Sequence, residues 1–432
     1  MKDIPQQPKG TRDFYPVDMR VQNHIFTVWR KAALKFGYEE YEGPSFEHLE
    51  LYTGKSGEEI VSQLYNFTDK GGRNLALRPE MTPTLARLVI QKGGELKKPF
   101  KWFSIPRLFR YERAQKGRLR EFFQLNLDII GTESIGAEAD LLASIANMLF
   151  DFGLTDDDFS IGVSSRKLLA AFLEELNAPD KNAIYPLLDR RLKMANGEFE
   201  TALLSAGLNE EQAKKLNYFM GCVSLEEVKN LTAPAQNAST APSESSVAIR
   251  ELEELFSLLT DSGFANCVKL DLSVVRGLAY YTGIVFEVFD KNKSMRAIAG
   301  GGRYDNLTEI LGGQKVAGVG FGMGDVVLAD LLREKNLLPQ SRADLPIYLT
   351  SFNSNMNLLF KTAAEFRKAG VACSHPLAPA KFGKQLEQAN SCGAKAVVFA
   401  DGEKSQNGIF EYKILASGEQ GIGTLEDILR LL

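Results

Sequence analysis

Cysteine and histidine are scarce in this chain of 432 residues, which holds four of the first and three of the second. Cys222, Cys267, Cys373 and Cys392 are widely scattered with no CxxC pair. That spacing argues against a disulfide framework and a zinc site, and it fits a reduced compartment. His24, His48 and His375 lie far apart, so no histidine-built metal centre is expected. Positive charge is not in surplus either: 51 basic against 55 acidic residues leave a net charge of −4. This excludes a histone-like nucleic-acid coat, and any RNA or phosphate must be met by a local patch. No run approaches the roughly 18 consecutive apolar residues of a membrane span. The opening MKDIPQQPKGTRDF lacks the apolar stretch of a signal peptide. A cytoplasmic protein with no membrane attachment is the expectation.

What the chain does have is 44% hydrophobic and 25% charged residues, the composition of a globular protein with a substantial core. Its length suggests two or three domains. Val21, Ile25, Val28 and Trp29 predict a helix from about Met19 to Phe36, closed by Gly37. Short β-like runs follow, up to Pro44 and at 64–69, 74–79, 100–113 and 122–131, then a helix over Glu138–Phe152. Such strands, joined by hairpin-like loops and flanked by helices, predict an α+β fold with a largely antiparallel sheet. Residues 165–255 read as helices, interrupted by the Ala/Ser/Pro-rich stretch 232–246, expected to be a mobile loop. Strand patterns return at 268–275, 283–289 and 317–324, with a helix directly after. Beyond a boundary near 340–345, strands and helices alternate as in a compact α/β module.

Several segments bear chemistry. FRYERAQKGRLREFFQLNLDIIG (109–131) is open to two readings. One is a hairpin with a solvated basic tip. The other sets Arg110 and Glu112 on one strand face at period two, with Lys116, Arg118 and Arg120 reaching an anionic ligand. RGLAYYTGIVFEV (276–288) joins Arg276 to a tyrosine pair, which more often serves core packing. AIAGGGRYDNL (297–307) is either a turn or a place where backbone approaches a ligand closely. It is no Walker loop, since no GK[ST] follows, and GVGFGMGDVVL (318–328) keeps its glycines inside a strand pattern. In LRPEMTPTLARL (77–88), Glu80 and Thr82 fit either a helix cap or a cleft that accepts hydrogen bonds from a substrate cation.

Together, PKGTRDFYP, LRPEMTP, FRYER…GRLREFFQ, RGLAYYTGIVFE and AGGGRYDNL resemble, in this order, the segments of histidyl-tRNA synthetases, class II aminoacyl-tRNA synthetases. The resemblance spans nearly the whole chain. It implies an antiparallel catalytic sheet flanked by helices, with catalytic parts at 1–160 and 261–336 around a helical insertion at 161–260. A linker at 337–345 and an anticodon-binding-like domain at 346–432 would complete the chain. It implies a homodimer that activates L-histidine with ATP, accompanied by Mg²⁺, and charges tRNA(His).

By the same resemblance, Arg110 and Arg276 are the catalytic pair at the α-phosphate, Arg110 also meeting the substrate carboxylate. Glu112 would contact the adenine side of ATP and Arg118 its distal phosphates. The histidine pocket would draw on Glu80, Met81, Thr82, Gln124, Asp128, Tyr280, Tyr281 and Tyr304, with no protein-held metal. The chain departs from the family pattern at Val327, where the third class II motif has an arginine. It departs also at Ala279 (an aspartate), Phe123 (often a histidine) and Asp128 (a glutamate). Ala279 with GFGMGD resembles an organellar-type branch. Two other functions are weighed: a catalytically inactive paralogue that senses histidine or regulates a biosynthetic enzyme, and a tRNA-binding protein without ligase activity.

Overall fold

The computed structural model describes residues 5–53, 62–191, 194–195, 197–232, 243–276, 280–339, 345–353 and 355–432. They form two compact units, one of residues 1–13 and 21–338, the other of 14–20 and 339–432. The strands of the first are β1 (Glu39–Glu40), β2 (Phe46–His48), β3 (Asn66–Thr68), β4 (Asn74–Leu77), β5 (Phe100–Ser104), β6 (Arg107–Phe109), β7 (Glu121–Ile130), β8 (Phe159–Ser165), β9 (Val268–Leu270), β10 (Ile284–Asp290), β11 (Ala299–Arg303) and β12 (Gly318–Gly324). The second holds β13 (Leu345–Thr350), β14 (Cys373–Ser374), β15 (Ala394–Phe399), β16 (Phe410–Ile414) and β17 (Gln420–Gly423).

The main sheet runs β1-β5-β7-β12-β11-β10-β8-β9, with β6 added beside β7. It is antiparallel except at its two ends, where β1 pairs with β5 and β8 with β9 in parallel. Strand β7 is the hub. Its odd positions Leu125 and Leu127 are fully buried in the main core, while Phe122, Gln124, Asn126 and Asp128 share the opposite face by the period of two. Across from that polar stripe, β12 presents glycines: Asp128 pairs with Gly320 and Asn126 with Gly322.

The core face is covered by helices whose apolar spacing follows the 3.6 period. The Pro16–Lys35 helix buries Ile25, Trp29, Ala32 and Ala33, and Gly37, at φ 78°, ends it in the left-handed region. The Gly136–Asp151 helix is buried over much of its circumference, as befits a helix between sheet and further helices. Between β8 and β9 the chain runs through helices at Arg166–Glu175, Lys181–Arg190, Glu198–Ser205, Glu210–Phe219, Leu225–Leu231 and Glu244–Asp261. Ser165, Asp180, Asn209, Ser224 and Ser243 each cap one with a side-chain oxygen.

Some expectations need correction. The stretch 268–275 is a strand only to Leu270. Asp271 accepts hydrogen bonds from the backbone N–H and hydroxyl of Ser273, and that local turn breaks the ladder. Residues 110–113 are not strand either. The loop drawn over 232–246 is too long, because Ser243 caps the Glu244–Asp261 helix through the N–H of Ser246; residues 233–242 lie outside the described residues. Most of the linker drawn at 337–345 lies outside them too. In the second unit, β14-β13-β15 are parallel and β16 and β17 add antiparallel strands. Its core holds Ile347, Leu349, Phe366 and Val398.

Candidate active site

The polar stripe of β7 floors a cavity of about 620 Å³ in the first unit. Glycines make that floor possible. A Cβ on Gly300 would lie 2.5 Å from Nη1 of Arg276, and one on Gly322 would lie 2.6 Å from Cδ of Gln124. At Gly320 it would overlap the Asp128 carboxylate. The glycine run in β11 and the glycines of β12 are therefore strand positions that make room for functional side chains, not a turn.

One cluster of the lining is acidic and aromatic. Glu80 precedes the Thr82–Lys92 helix and is buried. Its Oε2 accepts the Tyr280 hydroxyl at 2.8 Å, while its Oε1 is buried without a partner. Burial raises the Glu80 pKa, and Tyr280, Arg110 and Arg276 pull it back. The N-cap of that helix is Met81, with no side-chain cap hydrogen bond, so neither Glu80 nor Thr82 serves as the cap. Tyr280 packs against Tyr281 at 5.0 Å between ring centroids and edge-on to Tyr304 at 6.1 Å.

A second cluster of the lining is cationic. Arg110 is anchored by its Nε to the Pro79 carbonyl at 2.9 Å and lies over the Phe122 ring at 5.3 Å. Arg276 adopts φ 58°, a strained conformation for a residue with a Cβ, and pairs with Glu287 on β10. Burial alone would lower its pKa; Tyr281 and Glu287 outweigh burial and raise it. Glu112 pairs with Arg118, and its Oε1 is a second buried acceptor without a partner.

Of the residues singled out in the sequence, Glu80, Thr82, Arg110, Glu112, Arg118, Gln124, Arg276, Tyr280, Tyr281 and Tyr304 line this one cavity. Met81 and Asp128 do not. Met81 is buried, and Asp128, on the same face of β7 but outside the lining, accepts the Tyr304 hydroxyl. The basic tip is divided. Arg118 lines the cavity, Lys116 is exposed outside its lining, and Arg120 turns away. The Arg120 Nε donates to the Glu112 carbonyl at 2.9 Å and its guanidinium covers the Tyr111 ring at 4.3 Å. Arg303 of the glycine run is structural, paired with buried Glu138 at 2.5 Å. Ala279 lies outside the described residues. Phe123 points off the lining into an edge-on contact with Phe26. Val327 is buried in the cavity wall.

Sequence reading missed Asn126, Glu287 and Arg296, all in the lining. Asn126 was within reach, since it shares the period of two with Gln124 and Asp128.

The histidyl-tRNA synthetase family profile matches residues 10–324. The chain belongs to this family. A histidine–tRNA ligase of Leptospira biflexa is 38% identical over 95% of this chain and 93% of its own length. The chloroplastic/mitochondrial histidine–tRNA ligase of Arabidopsis thaliana is 38% identical over 98% of this chain and 85% of its own. In fold, the crystal structure of histidyl-tRNA synthetase from Nostoc sp. PCC 7120 matches with a TM-score of 0.82 over all of both chains, at 23% identity. The synthetase's antiparallel sheet is thus of the class II type.

Proposed function

We propose that this chain is a histidine–tRNA ligase. It joins L-histidine to ATP as histidyl-adenylate, then passes the histidyl group to tRNA(His). The observation that carries the reading is one cavity that holds Glu80, with a buried unpaired oxygen, within electrostatic reach of both Arg110 and Arg276. A carboxylate suits the α-ammonium of an amino acid. Two guanidiniums suit the charge that grows when the amino-acid carboxylate attacks the α-phosphorus. In that step an oxygen–phosphorus bond forms to the carboxylate and the bond to pyrophosphate breaks. The terminal ribose hydroxyl of the tRNA then attacks the acyl carbon, gives up its proton, and AMP leaves.

Arg110 and Arg276 stabilise the α-phosphate, Glu112 receives the adenine amino group on its free oxygen, and Arg118 meets the distal phosphates. Thr82, Gln124, Tyr280, Tyr281 and Tyr304 form the histidine pocket, with Met81 and Asp128 supporting it from outside the lining. Mg²⁺ would arrive on the phosphates of ATP. The domain of residues 346–432 reads the anticodon, the working form is a homodimer, and the compartment is the cytoplasm. Among the described residues no helix is long and apolar enough to cross a membrane.

The test is amino-acid-dependent ATP–pyrophosphate exchange over a panel of amino acids. Exchange with histidine alone is expected. R276A should cut it on the order of a hundredfold or more, as when one transition-state donor is removed. Near-normal exchange by R276A would refute that role. No exchange from a folded, histidine-binding protein would favour the regulatory paralogue.

A further inference from the structure

Val327 cannot donate a charge to the cavity, and the residue that meets it comes from another part of the chain. Arg296 lies between β10 and β11 and lines the same wall. The turn at Gly117, at φ 73°, is where they converge. A Cβ there would lie 3.3 Å from Cγ2 of Val327 and 3.5 Å from Cδ of Arg296. The turn at Gly117 thus sets Val327 and the stem of Arg296 against one point of the cavity wall. We propose that Arg296 is a nucleotide-binding residue that grips the distal phosphates of ATP together with Arg118, supplying from the β10–β11 connection the cation that position 327 lacks.

Three observations support this assignment, which rests on the ligase reading above. Arg118 is committed to Glu112, whereas no ion pair of Arg296 occurs among the described residues. Partial burial and the neighbouring Arg118 charge both lower the Arg296 pKa, with Glu112 opposing them. Two guanidiniums in mutual repulsion beside one carboxylate are a site short of negative charge, and a polyphosphate supplies it. The planar fork of arginine binds phosphate oxygens in pairs, a geometry that lysine lacks.

The experiment is calorimetric titration of the full chain with Mg–ATP and, separately, with AMP, for the unaltered protein, R296A and R296K. Arg296 is solvent-exposed, so folding is kept, and unchanged histidine binding by R296A verifies it. R296A should weaken ATP binding by about tenfold or more and leave AMP binding unchanged, with R296K between. A smaller loss for ATP, or an equal loss for AMP, overturns the assignment. These readouts need no exchange activity. ATP binding that depends on Arg296 in a protein that never activates histidine would sink the ligase reading and leave Arg296 in place. An unaltered protein that binds no ATP overturns both.

Discussion

At the scale of single residues, Asp128 is the group whose charge should be visible in bulk measurements. Burial pushes its carboxyl up to about 7, against 3.8 ordinarily, with the Tyr304 hydroxyl opposing. A carboxyl raised on folding favours the protonated form in the native state. Its stabilisation is full below the ordinary value and is lost as pH climbs towards 7, on the order of 4 kcal/mol in all. D128N stays neutral throughout. Between pH 4 and pH 7 the unaltered protein should therefore lose thermal stability relative to D128N, followed as unfolding temperature at half-unit pH steps. A constant offset between the two would disprove the idea. Asp128 also shows what a sequence can and cannot disclose. Its place on the cavity face of β7 follows from the period of two that runs through Gln124, yet period does not tell an open wall position from one capped by the Tyr304 hydroxyl. Arg296 was less accessible still: one arginine in the polar run KNKSMR has no pattern, and its partners Gly117 and Val327 sit far away in sequence.

Among elements, the Asp325–Glu334 helix is held at its first residue by two clasps. Asp325, fully buried, accepts the Phe123 N–H of β7 at 3.0 Å and the Arg12 guanidinium at 2.7 Å. Burial raises the Asp325 pKa and Arg12 counters it. Removing Arg12 strands a buried carboxylate, which should cost about 3 kcal/mol; R12A/D325N, which has no charge to strand, should recover most of that. Denaturant midpoints would decide, and a change below about 0.5 kcal/mol, the worth of a surface pair, would show that the clasp is idle. This helix was legible because DVVLADLLRE carries the 3.6 period, and so were the helices of 16–35 and 136–151. Elements went unread where local side-chain hydrogen bonds outcompete pattern, as at Asp271–Ser273. The short Gly402–Gln406 helix and the β17 strand went unread as well; each is too brief to show a period. The basic tip of 109–131 misled because Arg120 spends its charge on a carbonyl and a tyrosine ring, a choice only the folded chain makes.

For the whole molecule, the two units make the proposed division between adenylate chemistry and tRNA recognition open to a direct test. Every residue that lines the cavity falls within 63–327, so the first unit contains the full set of groups assigned to ATP and histidine. The second unit contributes none of them and has its own core around Ile347 and Val398. With a net charge of −4 over the chain, a long polyanion cannot be held by the general field. It must be gripped at separate local surfaces, and losing one of them removes binding energy without touching the adenylate step. Ending the chain at residue 338 should therefore leave histidine-dependent pyrophosphate exchange within a few-fold of normal. Charging of tRNA(His) should fall at least tenfold, equivalent to about 1.4 kcal/mol of lost contact. Exchange and charging measured side by side on one preparation separate the outcomes. Equal losses in both would mean that the second unit supports the fold of the first. Normal charging would mean that residues 346–432 do not read the anticodon, and that recognition of the tRNA resides with the first unit.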